Sequence, residues 1–91
     1  MSSVLVACLP RPGGWTCQVE VIDGASATDH RVTVEAGDLQ RLAPGTTDPT
    51  DLVRRSFAFL LDREPKESIL GAFDLTVIGR YFPDWEAWIR G

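Results

Sequence analysis

Large apolar and aromatic side chains are concentrated in one stretch of this sequence, residues 48–83. The members of this set are Phe57, Phe59, Leu60, Leu61, Ile69, Leu70, Phe73, Leu75, Val77, Ile78, Tyr81 and Phe82. Removing apolar surface from water is the dominant favourable term in folding, so the chain must enclose most of these residues. The stretch therefore predicts a helical core. It explains folding far better than it explains activity.

The first helix of this core is predicted at residues 49–62. Asp48 is a good N-cap, Pro49 suits the first helical position, and Asp51 lies where the positive end of the helix dipole favours an acid. The apolar residues at helical spacing are Leu52, Val53, Phe57, Leu60 and Leu61. One broad apolar stripe of this kind is typical of a helix that covers a sheet.

Three runs before this helix have the character of strands. Residues 4–9 are apolar and β-branched, and residues 15–23 and 30–35 alternate between apolar and polar positions. The residues predicted to face inward are Trp15, Cys17, Val19, Val21, Val32 and Val34. Glycine and proline clusters between the runs supply turns. We expect an antiparallel sheet of two or three strands with one face open to water.

The remaining helices are predicted from caps and breakers. Asp38 caps a short turn, DLQRL, and residues 66–70 form a short helix that ends at Gly71. Asp74 is a second N-cap, before residues 75–82, and Pro83 begins a last helix. The sequence thus predicts one α+β domain, residues 1–91, in which a sheet of two or three strands is covered by three to four C-terminal helices.

Composition limits the class of protein. The chain has 91 residues and a net charge of −4, to which residues 1–47 and 48–91 contribute equally. This balance disfavours non-specific nucleic-acid binding, which depends on neutralising phosphates. We find no signal peptide and no apolar run long enough for a membrane span, so we expect a cytoplasmic protein without membrane contact. The excess of arginine over lysine hints at a GC-rich bacterial genome.

Cys8 and Cys17 are predicted to face each other across a hairpin that turns between Arg11 and Gly14. We expect both to be buried, reduced thiols, because free cysteines are commonly buried. A cross-strand disulfide is the alternative, and a reducing cytosol disfavours it. No second pair of ligands accompanies them, so zinc binding has little basis.

No catalytic or cofactor-binding pattern is present. His30 is the only histidine, and we expect it at a solvent-facing strand end, since no nucleophile is spaced to use it as a base. The acidic residues form no metal-binding array, and Gly13-Gly14 and Pro44-Gly45 lack the context of a phosphate-binding loop. We therefore expect a protein that is not an enzyme and has no cofactor.

The C-terminal half offers an alternative function, nucleic-acid binding. Residues 67–82 suggest a helix-turn-helix with its turn at Phe73-Asp74, and Thr76 and Arg80 would be offered to base edges. Phosphate contacts would come from Arg54, Arg55, Arg63 and Lys66. The second helix is largely apolar, however, and close helix packing at its glycines is the competing interpretation.

The leading hypothesis is a protein-interaction surface near the C-terminus. Tryptophan with neighbouring arginine is enriched at interface hot spots. The candidate residues are Arg54, Arg55, Arg63, Lys66, Arg80, Trp85 and Trp88. The partner would be an unknown protein or a second copy of the chain. Alternatively, both tryptophans close the core, and the charged segment of residues 63–67 is a solvated loop, since exposed ion pairs contribute little.

Several segments of the sequence resemble those of a family of small bacterial proteins of about this length that has no assigned activity. They are VTV, DLQRLAPG, DP-DLVRRSFAFLLDREPKESIL and FDLTVIGRYFP, within residues 32–83. REPKESIL and FDL-VI-RYFP are the most specific of them. The resemblance implies a cytosolic bacterial α+β domain, and it brings no catalytic residues with it.

Overall fold

The computed structural model describes residues 2–91 as a sheet followed by helices. The elements are β1 (Ser2–Arg11), β2 (Gly14–Asp23), β3 (Ser26–Glu35), α1 (Ala36–Leu42), α2 (Thr50–Leu61), β4 (Ala72–Asp74), α3 (Ile78–Tyr81) and α4 (Trp85–Arg90), with 3-10 turns at Lys66–Ser68 and Leu75–Val77. This arrangement confirms the α+β class, with the sheet at the N-terminus and the helices after it.

The sheet has four strands rather than two or three, in the order β1-β2-β3-β4. The first three form the expected antiparallel meander, and β4 pairs parallel to β3, so the sheet is mixed. The backbone N–H of Arg31 donates to the carbonyl of Gly71 at 2.8 Å and extends this edge. Strand β4 has only three residues, too few to show alternation, and it forms because β3 supplies a partner.

Two glycines are required where the first three strands meet. Gly13, in the turn between β1 and β2, has φ +84°, a conformation that residues with a Cβ rarely adopt. Gly14 begins β2 and lies close to β3, because a Cβ there would be 2.1 Å from the carbonyl oxygen of Val34. The turn at residues 12–13 sets the register and places Cys8 opposite Cys17, as predicted.

The helices cover one face of the sheet. The inward side chains of β2 and β3 join those of α2 in one buried cluster, and the predicted alternation of both strands is confirmed. Helix α2 also buries Phe59 and Ser56, of which Ser56 was not among the apolar residues expected inside. The Trp85 indole is fully buried against α2, and its Nε1–H donates to Ser56 Oγ at 3.2 Å.

Of the predicted caps, Asp74 is confirmed. Asp48 lies one residue before Pro49, the N-cap of α2, and its carboxylate accepts hydrogen bonds from the backbone N–H and the hydroxyl of Thr50, at 2.9 Å and 2.6 Å. Asp74 accepts the same pair from Thr76, at 3.2 Å and 2.6 Å. Asp38, in contrast, lies in the first turn of α1, which begins two residues before it and has no side-chain cap.

The segments between α2 and the C-terminus are shorter and less regular than expected. A single 3-10 turn replaces the helix predicted at residues 66–70, and the helix predicted at residues 75–82 is a 3-10 turn followed by one turn of α-helix, α3. Prolines and glycines on both sides limit each segment.

The prediction of reduced cysteines is wrong for this structure. Cys8 and Cys17 form a disulfide, and their Cα atoms lie 3.9 Å apart. Cys17 is fully buried and Cys8 partly so. Once the hairpin register is fixed, the two thiols are adjacent, and bond formation requires only an oxidant.

Candidate functional site

An apolar groove opens on the surface where the end of α2, the loop before β4 and α3 meet. Its volume is about 330 Å³, near the lower end of the range for ligand pockets. The lining residues are Leu60, Glu64, Ser68, Ile69, Leu70, Phe73, Val77, Ile78, Tyr81 and Phe82. The groove is therefore built from the apolar stretch that dominates the sequence.

Two large side chains at the groove remain exposed to solvent. The fractional exposure is 47% for Leu70 and 68% for Tyr81, whereas Leu60, Ile69 and Ile78 beside them are buried. Single exposed apolar residues are ordinary, but exposed apolar residues around a concave apolar surface are typical of an interaction site. Covering the two side chains would remove further apolar surface from water.

The loop wall of the groove is tied to the sheet by a buried histidine. His30 is 2% exposed and sits within β3, so its predicted position at a solvent-facing strand end is wrong. Its Nδ1 lies 2.7 Å from the carbonyl oxygen of Leu70, and its ring packs against Phe57 with centroids 5.3 Å apart. The exposed side chain of Leu70 therefore extends from an anchored backbone.

The helical wall is set by Asp74. Besides the turn cap, its carboxylate accepts a hydrogen bond from the hydroxyl of Thr33 at 2.8 Å. Burial alone would raise the pKa of Asp74, but the hydrogen bonds from Thr76 and Thr33 together outweigh burial and hold this pKa below its usual value. The ionised carboxylate thus fixes the turn that brings Val77 and Ile78 to the groove.

Glu64 is the only residue of the lining with a formal charge at neutral pH. It is partly buried, and among residues 2–91 its carboxylate makes no hydrogen bond or ion pair. The neighbouring arginine, Arg63, turns away and pairs with Asp84 at 3.1 Å. An apolar groove with one uncompensated carboxylate favours a ligand that combines apolar surface with a positive charge.

Two of the residues predicted for the interaction surface are inside the protein. Trp85 is fully buried, as described above, and Lys66 is only 7% exposed. The Lys66 ammonium donates to Glu67 at 2.7 Å and holds the pKa of that carboxyl below its usual value. The segment of residues 63–67 is therefore only partly the solvated loop that we expected.

Two of the predicted arginines make contacts within the fold. Arg55 donates to the carbonyl of Ile89 at 2.6 Å and closes the end of α4. The Arg63 guanidinium lies 3.6 Å from the centroid of the Phe59 ring. Arg54, Arg80 and Trp88 are exposed, as an interaction surface requires. Trp88 nevertheless lies against Phe59, with ring centroids 5.3 Å apart, and outside the groove.

The helix-turn-helix predicted in the C-terminal half is not formed. Phe73 and Asp74, expected in its turn, belong to β4, and the segment before them is a 3-10 turn. Strand pairing with β3 prevents this segment from forming the turn between two helices. Arg80 lies on α3, whose single turn is too short to act as a recognition helix.

The metal-ligating side chains and the histidine of the described residues each have a defined place in the fold. Residues 2–91 contain no group of three or more metal-ligating side chains, and both ring nitrogens of His30 are occupied by internal contacts. None of the helices in this range is both long and apolar enough to cross a membrane. The fold and the groove together define a small α+β protein with an apolar groove on its surface.

Comparisons of this chain with family models, with curated proteins and with solved structures find no match. The resemblance to a small bacterial family therefore stays a prediction.

Proposed function

We propose that this protein is a non-enzymatic interaction module that binds part of another protein in the groove between α2 and α3. The observation that supports this most strongly is the exposure of Leu70 and Tyr81 around an apolar depression, beside residues that are fully packed. Every buried side-chain nitrogen and oxygen of the described residues has a hydrogen-bond partner. Apart from the partly buried carboxylate of Glu64, the side chains that the groove leaves open to a ligand are therefore mainly apolar.

The expected ligand is a short peptide segment that carries one or two large apolar side chains and a lysine or arginine. The apolar side chains would fill the groove, whose volume is small for a cofactor. The basic residue would lie against Glu64, the one charge of the lining. This surface differs from the one expected from the sequence, since Leu70, Tyr81 and Glu64 take the place of Trp85 and Lys66.

A binding role is favoured over catalysis by the lining itself. It contains no histidine, cysteine or lysine, and its hydroxyls, from Ser68 and Tyr81, have no base beside them other than Glu64. The main argument for nucleic-acid binding was the predicted helix-turn-helix, which the structure does not form. Arg55 and Arg63, two of its proposed phosphate contacts, are used within the fold.

We further propose a bacterial, cytoplasmic protein, in accordance with its arginine-rich composition and the family resemblance. The disulfide provides the test, because a reducing cytosol would keep Cys8 and Cys17 as thiols. The disulfide of the structure is evidence against this compartment, and trapping free thiols by alkylation at the moment of cell lysis decides the question: labelling of both cysteines would support a cytoplasmic protein. A protein isolated fully oxidised under these conditions would place it in an oxidising compartment instead.

The groove hypothesis is tested by selecting binders from a displayed library of random peptides on the immobilised protein. We expect enriched peptides to share large apolar residues next to a lysine or arginine. Leu70→Ser and Tyr81→Ala should each weaken binding of these peptides, and both residues are exposed enough for the fold to persist. Leu9→Ser is the matched control, since Leu9 is 74% exposed on the opposite face of the sheet.

The charge is tested separately. Glu64→Gln should weaken binding of the basic peptides and leave binding of uncharged ones unaffected. Asp51→Asn, at an exposed acid near the start of α2, should change neither. A library that yields no peptide dependent on Leu70 or Tyr81 would contradict the proposed function.

A further inference from the structure

Strand β1 forms a long, unpaired edge of the sheet. It lies at the end of the strand order and pairs only with β2, over ten consecutive residue pairs from Ser2 to Arg11. The opposite edge is different, because β4 covers β3 with only three residues. The sheet therefore has one long free edge and one short one.

The backbone groups that face outward from this edge follow from the ladder. Arg31 uses its N–H for Gly71 on the β4 side, so its pair with Gln18 on β2 is not hydrogen-bonded. Hydrogen-bonded and non-hydrogen-bonded pairs alternate along an antiparallel ladder. The backbone N–H and C=O of Cys17 therefore bond to β3 and point away from β1. The short Cα separation of 3.9 Å between the cysteines fits this narrow kind of pair.

Val4, Val6 and Cys8 therefore direct their N–H and C=O groups away from β2, toward solvent. Leu5, Ala7 and Leu9 direct theirs toward β2. An exposed row of donors and acceptors on one strand is a template for pairing with another strand.

Helix α2 packs against the covered face of β1, where Val4, Val6 and Cys8 are partly buried, but the strand itself carries none of the usual protections. Residues 2–10 carry no charged side chain, Pro10 comes only at the end, and the continuous register leaves no room for a bulge. Leu5 and Leu9, on the open face, are 54% and 74% exposed. Natural edge strands of this length normally carry a charge, a proline or a bulge that prevents pairing.

We propose that two copies of this chain pair antiparallel through β1, about a two-fold axis at Val6, and form one continuous eight-stranded sheet. This register brings Val4 of one copy opposite Cys8 of the other and places Leu5 opposite Ala7. It uses the whole of residues 2–10, and because that segment is uncharged, no like charges meet in an acidic protein.

A second copy fits this edge better than an unrelated strand because the pairing is self-complementary and closes on itself. Head-to-tail growth would require β1 to bind the edge at β4, where only three residues are available. The contact is a strip about 31 Å long and about 10 Å deep from the strand and sheet spacings, so it is smaller than a standard interface and the dimer should be weak.

Sedimentation velocity from dilute to concentrated protein tests the proposal, with a concentration-dependent shift from monomer to dimer as the expected result. A monomer at every concentration would refute it. Leu5→Lys should raise the dimer dissociation constant about tenfold or more, because it adds an edge charge. The monomer tolerates this change, since residue 5 is exposed and lies opposite Glu20.

Adding Ala7→Glu to Leu5→Lys should restore the dimer, because Lys and Glu then face each other across the axis. Failure to restore it would exclude the register centred on Val6. Hydrogen exchange supplies a second readout. The amides of Val4, Val6 and Cys8 should exchange fast in dilute protein and slowly in concentrated protein, and uniformly fast exchange would refute the pairing.

The groove variants Leu70→Ser and Tyr81→Ala separate this inference from the proposed function. If they abolish dimer formation and Leu5→Lys leaves it unchanged, the copies associate through the groove and the β1 edge is not the interface. A dimer that is lost with Leu5→Lys and retained with both groove variants is the result expected here.

Discussion

The Nδ1 atom of His30 lies 2.7 Å from the carbonyl oxygen of Leu70, forty residues further along the chain. A carbonyl only accepts, so Nδ1 carries the proton. In the neutral ring Nε2 then accepts from the hydroxyl of Thr28, 2.8 Å away. This contact joins the sheet to the wall of the groove and fixes the ring tautomer.

Replacing His30 with alanine should destabilise the protein by about 2–4 kcal/mol, through a cavity beside Phe57 and a lost hydrogen bond. His30→Asn is the matched control, because its side-chain amide can donate to the Leu70 carbonyl from nearly the same position. Chemical denaturation measures both. If both variants lost the same free energy of unfolding, the hydrogen bond to Leu70 would contribute nothing to stability beyond the packing of the ring.

Ser56→Ala should lower the free energy of unfolding by about 1–3 kcal/mol, because it leaves the buried indole N–H of Trp85 without an acceptor. In the Trp85→Phe background, which has no such donor, the same change should cost less. Free energies of unfolding of the four proteins give the coupling between the two residues. Additive effects would contradict the hydrogen bond between them.

Asp74 should make the fold sensitive to acid. Its pKa is lower in the folded protein than in the unfolded chain, so its stabilising contribution is complete above the unfolded value, near 4. This contribution is lost as the pH falls through the folded value. Wild type should exceed Asp74→Asn in stability at neutral pH, and the difference should shrink below pH 4. A difference independent of pH would contradict this role.

Reducing the disulfide should lower the free energy of unfolding by about 2.5 kcal/mol, the entropy of closing so short a loop in the unfolded chain. Thermal unfolding with and without reductant measures the change. The double variant Cys8→Val/Cys17→Val should unfold identically in both conditions. If reductant destabilised this variant as well, the disulfide would not be the cause.

The parts of the fold that depend on local chemistry were predictable from the sequence. Asp74 caps the turn that follows it because an N-cap needs only its own chain neighbours. The register that opposes Cys8 to Cys17 follows from a two-residue turn. Helix α2 was predicted within one residue at each end from its apolar stripe.

Features that depend on distant contacts were not predictable in this way. Strand β4 and the burial of His30 arise from contacts between segments about forty residues apart. Trp85, Trp88 and Ile89 have the spacing of one helical face, but this spacing does not show that only Trp85 and Ile89 are enclosed.

The groove was missed for a related reason. Leu70 and Tyr81 belong to the apolar stretch and were assigned to the core, but a small domain has too few elements to cover every member of it. Their exposure follows from the shortness of α3 and of the turn before β4. The one available signal was the number of aromatic residues, too many for this chain to bury.

The site of peptide binding tests the account most directly. An enriched peptide would be titrated into isotope-labelled protein, and contacts between peptide and protein protons would be assigned by nuclear magnetic resonance. We expect contacts from its apolar side chains to Leu70 and Tyr81, with its basic residue near Glu64. Contacts centred on β1, on Trp88 or on the open face of the sheet would show that the groove is not the binding surface.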